Sequence, residues 1–118
     1  MQTTIRLQIG EIIKNFNSLN NETYLNKISK ASDLIVKSLK KKNKIIFLGN
    51  GGSASDAEHL SAELLGRYLK NRKPYASMSI TSNSASLTSI SNDFGYEHSF
   101  SRQIKFARRY TTLFCSTI

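Results

Sequence analysis

Alternating strand and helix signals predict an α/β fold: a three-layer α/β/α sandwich around a parallel sheet, preceded by an N-terminal helical hairpin. Three observations carry that expectation. The first 40 residues place apolar side chains at helical spacing, Ile45-Ile46-Phe47-Leu48 is a continuous apolar run ended by glycine, and beyond it strand-like and helix-like segments alternate.

Taken in order, Ile5, Ile9, Ile12, Ile13, Phe16 and Leu19 recur at intervals of three and four, which predicts an amphipathic helix despite Gly10. Asn20 and Asn21 end it. Glu22 opens a second helix whose stripe of Leu25, Ile28, Ala31, Leu34, Ile35 and Leu39 runs into Lys40, Lys41, Lys42 and Lys44. These two helices are expected to form a hairpin over residues 1–43. From Lys44 the period changes, as it does in a strand buried on both faces, so Ile45–Leu48 is expected to be a central parallel strand. The loop Gly49-Asn50-Gly51-Gly52-Ser53 follows, then a helix from about Ala54 to Leu69, and Pro74 precedes a strand from Ala76 to Ile80. A short helix over Ser84 to Ile90, a turn at Asn92-Asp93-Phe94-Gly95, a helix around Glu97 to Ala107 and a strand around Tyr110 to Cys115 complete residues 44–118. Right-handed crossovers are expected between the parallel strands.

Composition bounds the function classes. A length of 118 residues suits a single domain or part of one, and 39% hydrophobic with 21% charged residues suits a folded chain. No apolar run approaches the roughly 20 residues that span a bilayer, and Arg6 and Glu11 interrupt any signal-peptide core, so a cytoplasmic location is expected. Cys115 stands alone and forms no internal disulfide, and the sequon at Asn21-Glu22-Thr23 has no meaning without secretion. A net charge of +9 favours anionic partners: phosphorylated metabolites, nucleic acid or acidic membrane surfaces. The basic residues gather at Lys40–Lys44, at Lys70, Arg72 and Lys73, and at Arg102, Lys105, Arg108 and Arg109, positions that equally suit helix ends. No recognition motif or aromatic platform accompanies them, so neither nucleic acid nor membrane is the expected partner.

A glycine-rich turn between a buried strand and a helix N-terminus lets backbone amides approach an anion, with the helix dipole adding favourable potential. A nucleoside triphosphate loop would end in Gly-Lys-Ser/Thr; this one ends Gly52-Ser53-Ala54. Gly49-x-Gly51-x-x-Ala54 meets a relaxed dinucleotide fingerprint, but the following strand ends Ile80-Thr81-Ser82-Asn83 with no acidic residue to hold a ribose. Ser53 offers a hydroxyl suited to a single phosphate monoester; the plain structural alternative is an empty tight turn with Ser53 as helix cap. In the next helix Asp56, His59 and Glu63 share one face beside an apolar face of Ala57, Leu60, Leu64 and Tyr68. A His and a Glu one turn apart emerge about 6 Å from each other and can serve one substrate or one metal ion, or form only a surface polar pair.

The run Gly49-Asn-Gly-Gly-Ser53-x-x-Asp56-Ala57-x-His59-x-x-x-Glu63-Leu-x-Gly66-Arg67-Tyr68 resembles the phosphoheptose isomerases, which are built on the flavodoxin-like SIS domain. Asn92-Asp93-Phe94-Gly95 followed by Phe100-Ser101-Arg102-Gln103 is similar too, and the match covers about Lys44 to Ile104. The resemblance implies aldose–ketose isomerisation of sedoheptulose 7-phosphate to D-glycero-D-manno-heptose 7-phosphate, toward the heptoses of lipopolysaccharide or capsule, by a homotetramer. It implies Glu63 as the catalytic proton shuttle, His59 and Glu63 as ligands of Zn2+, and Asn50, Gly51, Gly52, Ser53, Glu63, Asn92 and Asp93 as substrate-binding residues. Arg67 is as well explained by a structural ion pair. A non-catalytic relative of the same fold that binds a sugar phosphate or the replication initiator is the alternative, and the initiator-binding members lack the carboxylate that Glu63 supplies here.

After Phe106 the family pattern stops. Leu113-Phe114-Cys115-Ser116-Thr117 looks like a strand running toward the family's second phosphate loop, but that loop and a later Gln and His are absent. His98 lies in the wrong motif to replace that His. The chain reads as C-terminally truncated relative to the family and is expected to be inactive, or nearly so, alone.

Overall fold

Ile45, Ile46 and Phe47 are 0, 0 and 4% exposed, because the strand that carries them has a neighbour on each side. In the computed structural model, which describes residues 1–107 and 112–116, β1 (Lys44–Leu48) lies between β2 (Ser77–Ser79) and β3 (Thr112–Ser116). Both pairings are parallel: Ile45 stands opposite Ser77 and Leu113, and Phe47 opposite Ser79 and Cys115. The expected central strand is therefore central. β2 is shorter than the predicted Ala76 to Ile80, although Ile80 is buried at its end. Tyr110, where the last strand was expected to begin, lies outside the described residues, as do Arg108 and Arg109.

The chain divides into two compact units, Met1–Leu34 and Ile35–Ile118. In the first, α1 (Gln2–Leu19) and the start of α2 (Glu22–Lys40) are joined through Asn20 and Asn21. Asn21 caps the second helix: its Oδ1 accepts from the Tyr24 N–H at 3.1 Å. None of the residues of α1 is buried.

In the second unit Ile45, Phe47 and Ala57 form a buried cluster against which Ile35, Leu39 and Leu64 pack, so the last turns of α2 and the helix α3 (Gly52–Leu65) cover one face of β1. Ile46, one residue out of phase, faces the other way. There α4 (Ser84–Phe94), a 3-10 turn (Tyr96–His98) and α5 (Ser99–Ala107) follow β2, and Ile90, Phe106 and Ala107 line a hollow with Met78 and Ile80. Two hydroxyl contacts join β2 and the segment just after it to α3: Ser77 Oγ donates to Ser61 Oγ at 3.0 Å, and Thr81 Oγ1 donates to the Ala54 carbonyl at 3.4 Å. Basic residues sit at helix ends, as the charge pattern suggested: Lys37 and Lys40 in the last turn of α2, Lys105 in that of α5. None of the helices is long and apolar enough to cross a membrane, among the described residues.

Candidate functional site

Beyond Leu48 the chain reverses so tightly that Gly49 lies against the first turn of α3. A Cβ at Gly49 would stand 2.4 Å from the Ser53 carbonyl oxygen, a backbone atom with little room to yield, so glycine is required there. Gly51 (φ 55, ψ −125) is the N-cap, and the helix begins at Gly52, two residues earlier than the periodicity indicated. The loop closes on itself: the Ser53 N–H donates to the Asn50 carbonyl at 3.0 Å and the Ala54 N–H to the Gly51 carbonyl at 3.1 Å. Ser53 is thus inside the helix rather than its cap, and its amide is engaged. The open side of the mouth lies at Gly51 and Gly52, both exposed, where an added Cβ would meet nothing within 4 Å. An anion can come close to backbone there.

α3 fixes the next two residues. Ala57 and Ser61 are buried and Leu64 is half-buried, and they hold the helix on the sheet, while Leu60 is 40% exposed. The helix ends at Leu65 with Gly66 as its C-cap, so Arg67 and Tyr68 fall outside it, and Tyr68 takes a positive φ of 42. Arg67 is exposed, and the ion pair suggested for it is not made among the described residues.

His59 Nε2 and Glu63 Oε1 lie 3.4 Å apart, the His side chain 76% exposed and the Glu 35%. That separation is close to the ~3.4 Å edge of a tetrahedron whose metal–ligand arms are about 2.1 Å, so the two can serve one ion together. No group of three or more His, Cys, Asp or Glu is placed to hold a metal among the described residues. Asp56 is exposed on the same helix, nearer the mouth, and is not part of the pair. With a rise of 1.5 Å per residue, Glu63 stands about 16 Å along the axis from Gly52 and His59 about 10 Å.

An unpredicted arginine holds the end of this helix. Arg72 donates from Nη2 to the Glu63 carbonyl at 2.8 Å and from Nη1 to the Leu64 carbonyl at 2.9 Å, and its guanidinium lies 4.4 Å from the centroid of the Tyr75 ring. Cations are favoured at helix C-termini, so the charge cluster at Lys70–Lys73 held the signal, but not which member would turn back.

Asn92 and Asp93, expected in a turn, occupy the last turn of α4, which Asn83 caps by accepting from the Ser86 N–H at 2.9 Å. Both are exposed, and Asn92 Nδ2 donates to Asp93 Oδ1 at 3.0 Å. The helix stops at Gly95, whose φ of 91 suits a residue without a side chain. The next residue, Tyr96, donates its hydroxyl proton to Asn50 Oδ1 and so ties the segment after Asn92 and Asp93 to the glycine loop. Tyr96 was not among the expected site residues. His98, exposed in the 3-10 turn, makes a backbone bond to Gly95 and none with the His59–Glu63 pair.

Comparison with known proteins adds a family. The model of the SIS domain matches residues 9–117. The phosphoheptose isomerase of Rhodospirillum rubrum is 51% identical over 77 residues, 65% of this chain and 41% of the relative. That of Helicobacter hepaticus is 49% identical over 78 residues, 66% of this chain and 40% of the relative. In Akkermansia muciniphila the match extends over 105 residues at 43% identity, 89% of this chain and 54% of the relative. The chain thus spans about two-fifths of the length of the first two. Among solved structures, a phosphoheptose isomerase from Neisseria gonorrhoeae superposes with a TM-score of 0.84 at 29% identity, covering 98% of this chain and 59% of that one. One from Francisella tularensis gives 0.90 at 22% identity over 98% and 60%, a likeness of fold.

Proposed function

Because the chain belongs to the SIS domain family, we propose that it carries part of the active site of a phosphoheptose isomerase, interconverting sedoheptulose 7-phosphate and D-glycero-D-manno-heptose 7-phosphate. The observation that carries this reading is the glycine mouth at one end of α3 with the Glu63 carboxylate about three turns along the same helix. Its similarity to relatives that bear that name supports the choice of substrate.

In this reading the phosphate rests against Gly51, Gly52 and the Ser53 hydroxyl, at the positive end of the helix dipole. Asn50, Asn92 and Asp93 take sugar oxygens. The Glu63 carboxylate removes a proton from C1 of the ketose, O2 takes a proton as the enediol forms, O1 gives one up, and Glu63 returns its proton to C2 to complete the aldose. Moving a proton between adjacent carbons in this way needs no redox partner. His59 and Glu63 would hold Zn2+, which when bound polarises the substrate carbonyl. The chain is further proposed to work in the cytoplasm as a homotetramer; the exposed apolar stripe of α1, with Ile9, Ile12 and Ile13 each about half exposed, supports self-association.

The test is calorimetric titration of the 118-residue chain with sedoheptulose 7-phosphate, paired with solvent deuterium incorporation at C1 followed by NMR. Binding well above that of inorganic phosphate is expected, with any deuterium uptake abolished by Glu63→Gln. Affinity no better than for inorganic phosphate would end the proposal.

A further inference from the structure

A carboxamide presents two opposite chemistries, an acceptor oxygen and a donor NH2, and a half-turn about its last bond exchanges them. An exposed Asn in a substrate-facing loop is therefore ambiguous unless a neighbour fixes its orientation. Asn50 has such a neighbour: the Tyr96 hydroxyl donates to its Oδ1, across 46 residues of chain. With the oxygen held, Nδ2 is the end left to face a ligand.

Tyr96 is itself held in place. Gly95, with φ 91, ends α4 and directs the chain into the 3-10 turn, and the Tyr96 ring meets Phe100 edge-on at 6.4 Å between centroids with 74° between planes. Tyr96 is 57% exposed as a residue, so its hydroxyl does not serve a core contact. Its interaction is with the loop that begins the mouth.

We infer that Tyr96 is a positioning residue: its hydroxyl holds Asn50 Oδ1 so that the Asn50 NH2 is presented to the oxygens of a sugar phosphate bound at the glycine mouth. The choice of ligand rests on the isomerase reading above; the orientation of Asn50 does not. The same bond couples the segment carrying Asn92 and Asp93 to the loop carrying Gly51 and Gly52, so the two halves of the binding surface are set together.

The decisive experiment crosses Tyr96→Phe, which keeps the ring on Phe100, with Asn50→Ala, and titrates the full 118-residue chain with sedoheptulose 7-phosphate. Tyr96→Phe is expected to weaken binding about fivefold when Asn50 is present, the scale of one neutral hydrogen bond. In the Asn50→Ala background it should cost nothing more, since a positioning role vanishes with the group positioned. Equal losses in both backgrounds, or no loss in either, overturn the inference. The Asn50 side-chain NH2 resonances of the unliganded chain give a separate readout. They should shift in Tyr96→Phe, and unmoved resonances overturn the positioning role whatever the ligand does. If the wild-type chain binds no sedoheptulose 7-phosphate while those resonances do move, the isomerase reading falls and the orientation of Asn50 by Tyr96 stands.

Discussion

Two regions of this chain use the same residue types to opposite ends. In α1, Ile5, Ile9, Ile12 and Ile13 are 48–55% exposed, whereas Ile45 and Ile46 of β1 are not exposed at all. A helix satisfies its own backbone hydrogen bonds, so it can form and still leave its apolar stripe without a partner. A strand cannot; β1 acquires backbone partners on both sides, and packing from α2 and α3 comes with them. Isoleucine count therefore says little about where stability resides, and the pairing partners say most.

That contrast can be broken by substitution. Ile45→Ala is expected to have the largest effect, about 2–5 kcal/mol lost in urea unfolding, because it empties a fully buried site beneath α3. A loss under 1 kcal/mol would mean that the sheet is not the seat of stability. Gly49→Ala comes next: the added Cβ must displace the Ser53 carbonyl, so both the melting temperature and sugar-phosphate affinity should fall, the latter by at least about tenfold if the amide mouth opens out. Arg72→Ala removes two charge-assisted bonds from the carbonyls of Glu63 and Leu64 and should cost about 2 kcal/mol, seen as a lower urea midpoint. Wild-type stability in that variant would show the arginine to be an ornament of the helix end. Smallest in folding terms is Ile9→Glu with Ile13→Glu on α1, expected within about 0.5 kcal/mol for the monomeric chain. If α1 mediates self-association, the same pair should shift the sedimenting species toward monomer, and an unchanged distribution would remove α1 from the proposed tetramer.

Much of the candidate site is legible in the sequence. The loop Gly49–Ser53 names a strand-to-helix turn because glycines follow an apolar run, and His59 and Glu63 had to share a face because they are four residues apart. Boundaries were harder to read. α3 starts at Gly52 against glycine's poor helix propensity, an entropic cost of about 1 kcal/mol that the packing of Ala57 and Ser61 on the sheet offsets. It stops at Leu65 although Tyr68 continues the spacing, since Gly66 caps it and Arg72 takes its last carbonyls. Likewise Ser61 occupies a face expected to be apolar, made tolerable by the hydroxyl of Ser77 sixteen residues on.

The sequence by itself determined the local order of elements, the glycine turn into α3 and the pairing of an imidazole with a carboxylate, all of which depend on neighbours a few residues away. Only the tertiary structure decided that Tyr96 would meet Asn50 and that Arg72 would seize the end of α3. Each bond has one partner in a connecting segment whose path is set by how helices settle on the sheet, and side-chain spacing carries no record of that path.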